Sequence, residues 1–304
     1  MRLFDRFFKS RKQLKGGAED LPSDRLEEKS NGDVSSYDYE VGIALSGGSA
    51  RGIAHIGVLK ALDEYGISPD IISGTSMGAL VGVFYAAGLA PERILELIKK
   101  EKIYSMVSLK LKQGGFFELN AVRRALKEEI PANDFSALKK PFYLSVANIT
   151  DGVNEVKGEN GPLHDFVVAS CSVPVLLLPQ EIDGKTYIDG GLFDNLPAAS
   201  IKDKCRILIG VNVNYYGPVE KLNGIREIAQ RTFSLAIEQN VAESRKMCDF
   251  VIEPEELKDY TLLDFDKADE LYNIGYNAAI KLIKEELGPV MQKHRIEQEE
   301  GSVN

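Results

Sequence analysis

Ser76 stands in the pentapeptide Gly74-Thr75-Ser76-Met77-Gly78, just after the apolar run Ile71-Ile72 and just before a long segment of small and apolar residues. That order predicts a buried strand, a sharp turn and a helix. The turn would lift the serine hydroxyl out of the sheet, and the flanking glycines would let crowded backbone pass. The free N–H groups and positive end of the following helix would then lie beneath the reacting oxygen. Such an arrangement suits nucleophilic attack. On its own the pentapeptide is equally an ordinary strand-to-helix turn, so its meaning depends on other stretches.

The first of these is Ser46-Gly47-Gly48-Ser49-Ala50-Arg51-Gly52, between an apolar strand at Val41–Leu45 and an apolar helix from Ile53 to Tyr65. A glycine-rich turn of this kind presents backbone N–H groups to an anion. A dinucleotide fingerprint fits poorly, because Ser49 replaces its middle glycine and no acidic residue ends a second strand at the right distance. An oxyanion hole, with amides near Gly48 and Ser49, fits better, because a serine elbow follows on the next strand.

The second is Asp189-Gly190-Gly191, an acidic residue at a strand end beside two glycines. A serine needs a base to take its proton. The chain has three histidines: His55 inside the first helix, His164 in a helix ahead of the Asp189 strand, and His294 in a polar tail. A Ser-His-Asp arrangement would have to use His164 or His294. A carboxylate base fits better, provided that burial raises its pKa towards the working range. Asp189 is the favoured carboxylate. Its rival Asp194, in Asp194-Asn195-Leu196-Pro197, reads as a loop-ordering residue, and Asp189 as a plain turn former is the simpler alternative.

The elements that must position these residues alternate. Strands are expected at Phe142–Ala147, Leu176–Pro179, Glu181-Ile182, Lys185–Ile188, Cys205–Val213 and Phe250–Ile252. Helices are expected at Pro91–Lys100, Asn120–Glu129, Pro162–Cys171, Gly224–Met247 and Asp266–Leu287. Asp151-Gly152 and Asp183-Gly184 read as turns. Apolar strands alternating with helices predict an α/β fold, a mainly parallel sheet covered on both faces, with functional loops at the strand carboxyl ends.

With 304 residues and 44% apolar content the chain can bury a sizeable core, and its net charge of −9 argues against nucleic acid as a partner. Cys171, Cys205 and Cys248 are scattered, with no metal-ligand spacing, and read as reduced thiols of a cytoplasmic protein. No apolar run is long enough to span a membrane. Residues 1–39 are set apart as a basic segment and a polar linker, residues 40–288 as the folded domain, and 289–304 as a polar tail. In residues 1–15, Phe4, Phe7 and Phe8 share a helical face among basic residues, the pattern of a peripheral anchor at the inner, anionic membrane face. A frayed tail is the plainer reading. Residues 101–117, greasy, basic and hinged at Gly114-Gly115 before Phe116-Phe117, suggest either a lid or a packed surface loop.

The ordered set Gly47–Gly52, Gly74–Gly78 and Asp189–Gly191 resembles the patatin-like phospholipase family, in a similarity running from about Val41 to Ile201. It includes Ala54-His55-Ile56-Gly57-Val58-Leu59, Ala169–Pro174 and Asp194–Pro197. The resemblance implies a three-layer α/β/α fold and hydrolysis of lipid acyl esters by a Ser–Asp dyad without histidine, metal or cofactor. It also implies Ser76 as nucleophile, Asp189 as base, and Gly47, Gly48 and Ser49 as oxyanion amides. Arg51, followed by Gly52, would supply positive charge in that loop. Ser49 departs from the family's usual glycine. If the turn needs positive φ, a serine there would distort the hole. A weakly active or non-catalytic lipid-binding, regulatory protein is therefore the alternative.

Overall fold

Five consecutive buried residues in β1 (Tyr39–Leu45) mark a strand covered on both faces. The computed structural model describes residues 37–100, 119–214, 217, 222 and 224–293. The segment read as an anchor (1–15), the greasy insert (101–117) and His294 lie outside the described residues.

β1 pairs in parallel with β2 (Ile71–Gly74) and with β7 (Cys205–Val211). β2 pairs in parallel with β3 (Phe142–Asn148), and β7 with β8 (Phe250–Ile252). β4 (Val153–Lys157) and β6 (Lys185–Asp189) add to β3 in antiparallel fashion, and β5 (Gln180–Ile182) adds to β6. The order is β5-β6-β3-β2-β1-β7-β8, with β4 also on β3. The sheet is therefore mixed and mostly parallel.

The helices are α1 (Ala54–Glu64), α2 (Met77–Ala86), α3 (Pro91–Lys100), α4 (Asn120–Glu129), α5 (Leu163–Ser170), α6 (Ile225–Arg245) and α7 (Ala268–Leu282). Alternation along the strands sorts them into layers. Ala44, Ile71 and Leu208 cluster with Val241 of α6, whereas Leu45, Ile72 and Phe142 reach towards Gly82 of α2. Helices thus cover both faces of the sheet, as the three-layer expectation requires.

One junction on β3 positions the site. Leu144 has Gly74 of β2 on one edge and Lys157 of β4 on the other, while Val146 has Asp189 of β6 and Glu155 of β4. Since β4 occupies one edge throughout, β2 and β6 share the other. They run towards each other and stop two β3 residues apart. The end of β2 therefore meets the end of β6, and residues more than a hundred positions apart in sequence become neighbours.

Two expectations fail locally. Leu176–Pro179 is not a strand: it is bracketed by Pro174 and Pro179, which cannot donate to a ladder, and Val175 turns the chain at φ 71. The strand expected to reach Val213 stops at Val211, and the Val213 N–H donates instead to Ser46 Oγ at 3.1 Å. Among the described residues no helix is long and apolar enough to cross a membrane.

Candidate active site

β2 ends at Gly74 and α2 starts at Met77, so only Thr75 and Ser76 make the turn. Ser76 sits at φ 55, ψ −122, which an L-residue holds only where its surroundings enforce it. Here Thr75 donates its N–H to the Leu45 carbonyl at 3.1 Å and its hydroxyl to the Asp194 carbonyl at 2.8 Å. The Ser76 N–H donates to Ser170 Oγ at 2.9 Å, and the Ser170 hydroxyl donates to the Ser145 carbonyl at 2.8 Å. The backbone is tightly crossed: a Cβ on Gly78 would lie 2.2 Å from the Leu45 carbonyl oxygen, and one on Gly74 2.5 Å from that of Gly78.

Asp189 closes β6 and is 3% exposed. The Ser76 hydroxyl lies near enough to its carboxyl to lower its pKa, and its Oδ1 accepts the Gly191 N–H at 2.8 Å. Burial pushes its pKa from 3.8 up to about 6, against the downward pull of the Ser76 hydroxyl and the Gly191 N–H. A carboxylate in this state is ionised at neutral pH, yet basic enough to take a hydroxyl proton as the oxygen attacks.

The glycine loop is pinned from three sides. The Gly47 N–H donates to the Asn195 carbonyl at 3.0 Å, and Asn214 Nδ2 donates to the Gly47 carbonyl at 2.6 Å. The Arg51 guanidinium donates to the Tyr260 carbonyl through Nε at 2.9 Å and through a terminal nitrogen at 2.6 Å. Gly52 packs on Met77, where a Cβ would come 2.3 Å from Cγ. The Gly47 amide is therefore occupied. Gly48 and Ser49 donate their N–H groups to no acceptor among the described residues. Ser49 is at φ 49, so the turn does demand positive φ of a serine.

Ser76, Asp189, Gly47, Gly48, Ser49 and Arg51 line one cavity of about 450 Å³. Val173, Leu176, Leu222, Phe233, Ile237 and Leu262 make much of its wall apolar, and Arg231 and Lys258 add positive charge beside the carboxylate of Glu227. Large apolar side chains stand exposed on the same segments: Leu222, Ile225, Ile228, Leu262 and Leu263. The contribution of α6 was not readable in the sequence, since its pattern says helix and nothing about which sheet end it overhangs. Asn195 was missed as a site residue, although it lies within a stretch already singled out.

The rival groups are engaged elsewhere. His55 is fully buried, its Nε2 is 2.8 Å from the Ser46 carbonyl, and burial lowers its pKa to about 4. His164 is buried, with its Nε2 2.9 Å from the Ile130 carbonyl, and is absent from the cavity wall. Burial raises the Asp194 carboxyl to about 6 as well, against the lowering effect of Ser244 on α6, and Asp194 is absent from the cavity wall. Cys171, with its thiol donating to the Ser76 carbonyl at 3.3 Å, is held protonated by burial.

Lysophospholipase NTE1 of Kluyveromyces lactis is 29% identical over 270 residues, covering 78% of this chain and 18% of the relative. The NTE1 protein of Saccharomyces cerevisiae is 29% identical over 269 residues, covering 77% and 16%. The chain thus spans less than a fifth of the length of these curated relatives. Among solved structures, human GIVD cytosolic phospholipase A2 aligns at TM-score 0.48 and 11% identity, covering 90% of this chain and 62% of the other. VipD from Legionella pneumophila aligns at 0.44 and 15%, covering 78% and 67%. At such scores the fold rests on its own topology rather than on these likenesses. Residues 43–201, more than half of the chain, match the family model described as patatin-like phospholipase, and the chain belongs to that family.

Proposed function

We propose that the protein is a serine acyl hydrolase that cleaves lipid acyl esters, with Ser76 as nucleophile and Asp189 as its base. The observation that carries this reading is the placement of Ser76 and a buried Asp189 together on the wall of one largely apolar cavity. As Ser76 Oγ attacks the ester carbonyl, its proton passes to Asp189, the Oγ–C bond forms, and the carbonyl electron pair moves onto oxygen. The amides of Gly48 and Ser49 face that negative charge. Collapse breaks the bond to the alcohol, which leaves with the proton from Asp189. Water then attacks the Ser76 ester by the same route and releases the carboxylic acid.

The apolar wall suits an acyl chain, and Arg231 and Lys258 suit a phosphate-bearing head group. The exposed leucines and isoleucines on the same segments suit a substrate presented in a lipid aggregate. The relatives named lysophospholipases point to lysophospholipid as the first substrate to try. The experiment compares release of fatty acid from lysophospholipid by the parent and by Ser76→Ala. Loss of all release above background in the variant, with the fold retained, is expected. Equal release by both would overturn the reading.

A second reading, a weakly active lipid-binding protein, draws on the positive φ of Ser49. A strained serine could misplace its own N–H. Under this reading Ser49→Gly raises kcat by tenfold or more. Under the first reading kcat stays within a factor of about three, since the other amide groups are unaltered.

A further inference from the structure

Asn195 is 2% exposed, lines the cavity, and leaves its side-chain Nδ2 without a hydrogen-bond partner. A buried, unpaired amide costs stability, so such a group in a catalytic cavity calls for a reason. Its surroundings supply one. The point that a Cβ on Gly47 would occupy is 2.4 Å from Asn195 Oδ1 and 3.1 Å from Ser76 Cβ. The point that a Cβ on Gly191 would occupy is 2.7 Å from the same Oδ1 and 3.0 Å from Asp189 Oδ1. The carboxamide is therefore wedged between the nucleophile, the base and the glycine loop, in space kept open by two missing side chains.

The Asn195 backbone is fixed independently of its side chain. Its carbonyl accepts the Gly47 N–H at 3.0 Å, and its N–H donates to Asn240 Oδ1 at 3.0 Å. Asn240 Nδ2 in turn donates to the Gly191 carbonyl at 3.0 Å. The stem is anchored while the amide end stays unpaired. As it stands, its oxygen and that of Asp189 crowd one glycine as two acceptors. A half-turn of the carboxamide would put a donor there instead.

We propose that the Asn195 carboxamide is a catalytic hydrogen-bond donor: its NH2 turns towards Ser76 and donates to the oxygen that becomes negative during attack, beside the amides of Gly48 and Ser49. The inference rests on the hydrolase reading, and it adds a side-chain donor to a hole otherwise built of backbone. The Nδ2 that is unpaired before substrate arrives is then a donor in reserve, whose partner appears only in the transition state, once the carboxamide has turned.

The test uses the full chain and three variants, Asn195→Ala, Asn195→Asp and Ser76→Ala, with a soluble monomeric carboxylic ester. Asn195→Ala should lower kcat by roughly 10²–10³-fold with KM within about threefold, the signature of a lost oxyanion donor. Its affinity for a trifluoromethyl ketone, which forms a tetrahedral adduct with serine, should fall by a similar factor. Asn195→Asp, the same shape without a donor, should lose kcat equally. As a second carboxylate it should also move the acidic limb of the pH–rate profile upwards. Unaltered kcat in both variants would overturn the inference. So would a loss that appears in KM alone or is matched by a collapse of the thermal transition. If Ser76→Ala retains activity, the hydrolase reading itself fails, whatever Asn195 does.

Discussion

Asp189 ties the chemistry to stability. Because burial raises its pKa from 3.8 to about 6, the folded protein holds the Asp189 proton more tightly than the unfolded chain does. The stabilisation from that proton is complete below 3.8 and is lost as pH rises through about 6, a difference of about 3 kcal/mol. Asp189→Asn carries no such proton. Its stability relative to the parent should rise across that window, read by urea melts, while its ester hydrolysis disappears. In the parent, kcat/KM should climb through about pH 6 and level off above it, as the base ionises. Ser76 holds a second store of strain at φ 55, ψ −122. Ser76→Gly should raise the unfolding free energy by roughly 1–2 kcal/mol while abolishing activity. Both residues stood out in the sequence because a serine in a tight strand-to-helix turn and an acid at a strand end beside two glycines are particular types in particular turns. The unpaired amide of Asn195 was not, since partnership depends on what folding brings near.

At the scale of elements, two helices meet without side chains between them. A Cβ on Gly275 of α7 would lie 1.9 Å from the Ala54 carbonyl oxygen, and one on Gly57 of α1 would lie 2.0 Å from that of Tyr272. Gly275→Ala should therefore lower stability by about 3 kcal/mol or prevent folding, measured as a fall of several degrees in Tm. Most strands and helices were readable from apolar runs and helical spacing, and they came out within a few residues. Leu176–Pro179 was misread because its leucines suggest a strand while its flanking prolines forbid one. The meeting of β2 and β6 on one edge of β3 was not readable at all. It is set by pairing register, which no local pattern encodes, and it is what brings Ser76 to Asp189.

For the whole molecule, family and function separate. Membership of the patatin-like phospholipase family follows from the matched region, whereas substrate is a property of the cavity wall and its surroundings. That wall draws on α6 and on Lys258 and Leu262, beyond the matched stretch, so similarity within residues 43–201 does not describe it. Surface charge adds a second expectation. The chain carries a net charge of −9, yet Met1–Lys15 is basic and interleaved with phenylalanine. Removing these fifteen residues should weaken binding to anionic vesicles, and the part that is lost should be the salt-sensitive part, read by co-sedimentation.

The most direct measurement of the Ser76–Asp189 pairing is covalent labelling by a fluorophosphonate, with the adduct located by peptide mass spectrometry in the parent and in Asp189→Asn. One adduct, on Ser76, is expected in the parent, forming at least 10²-fold more slowly in the variant. An adduct on another residue, or equal labelling rates in the two proteins, would contradict the pairing as the source of nucleophilicity.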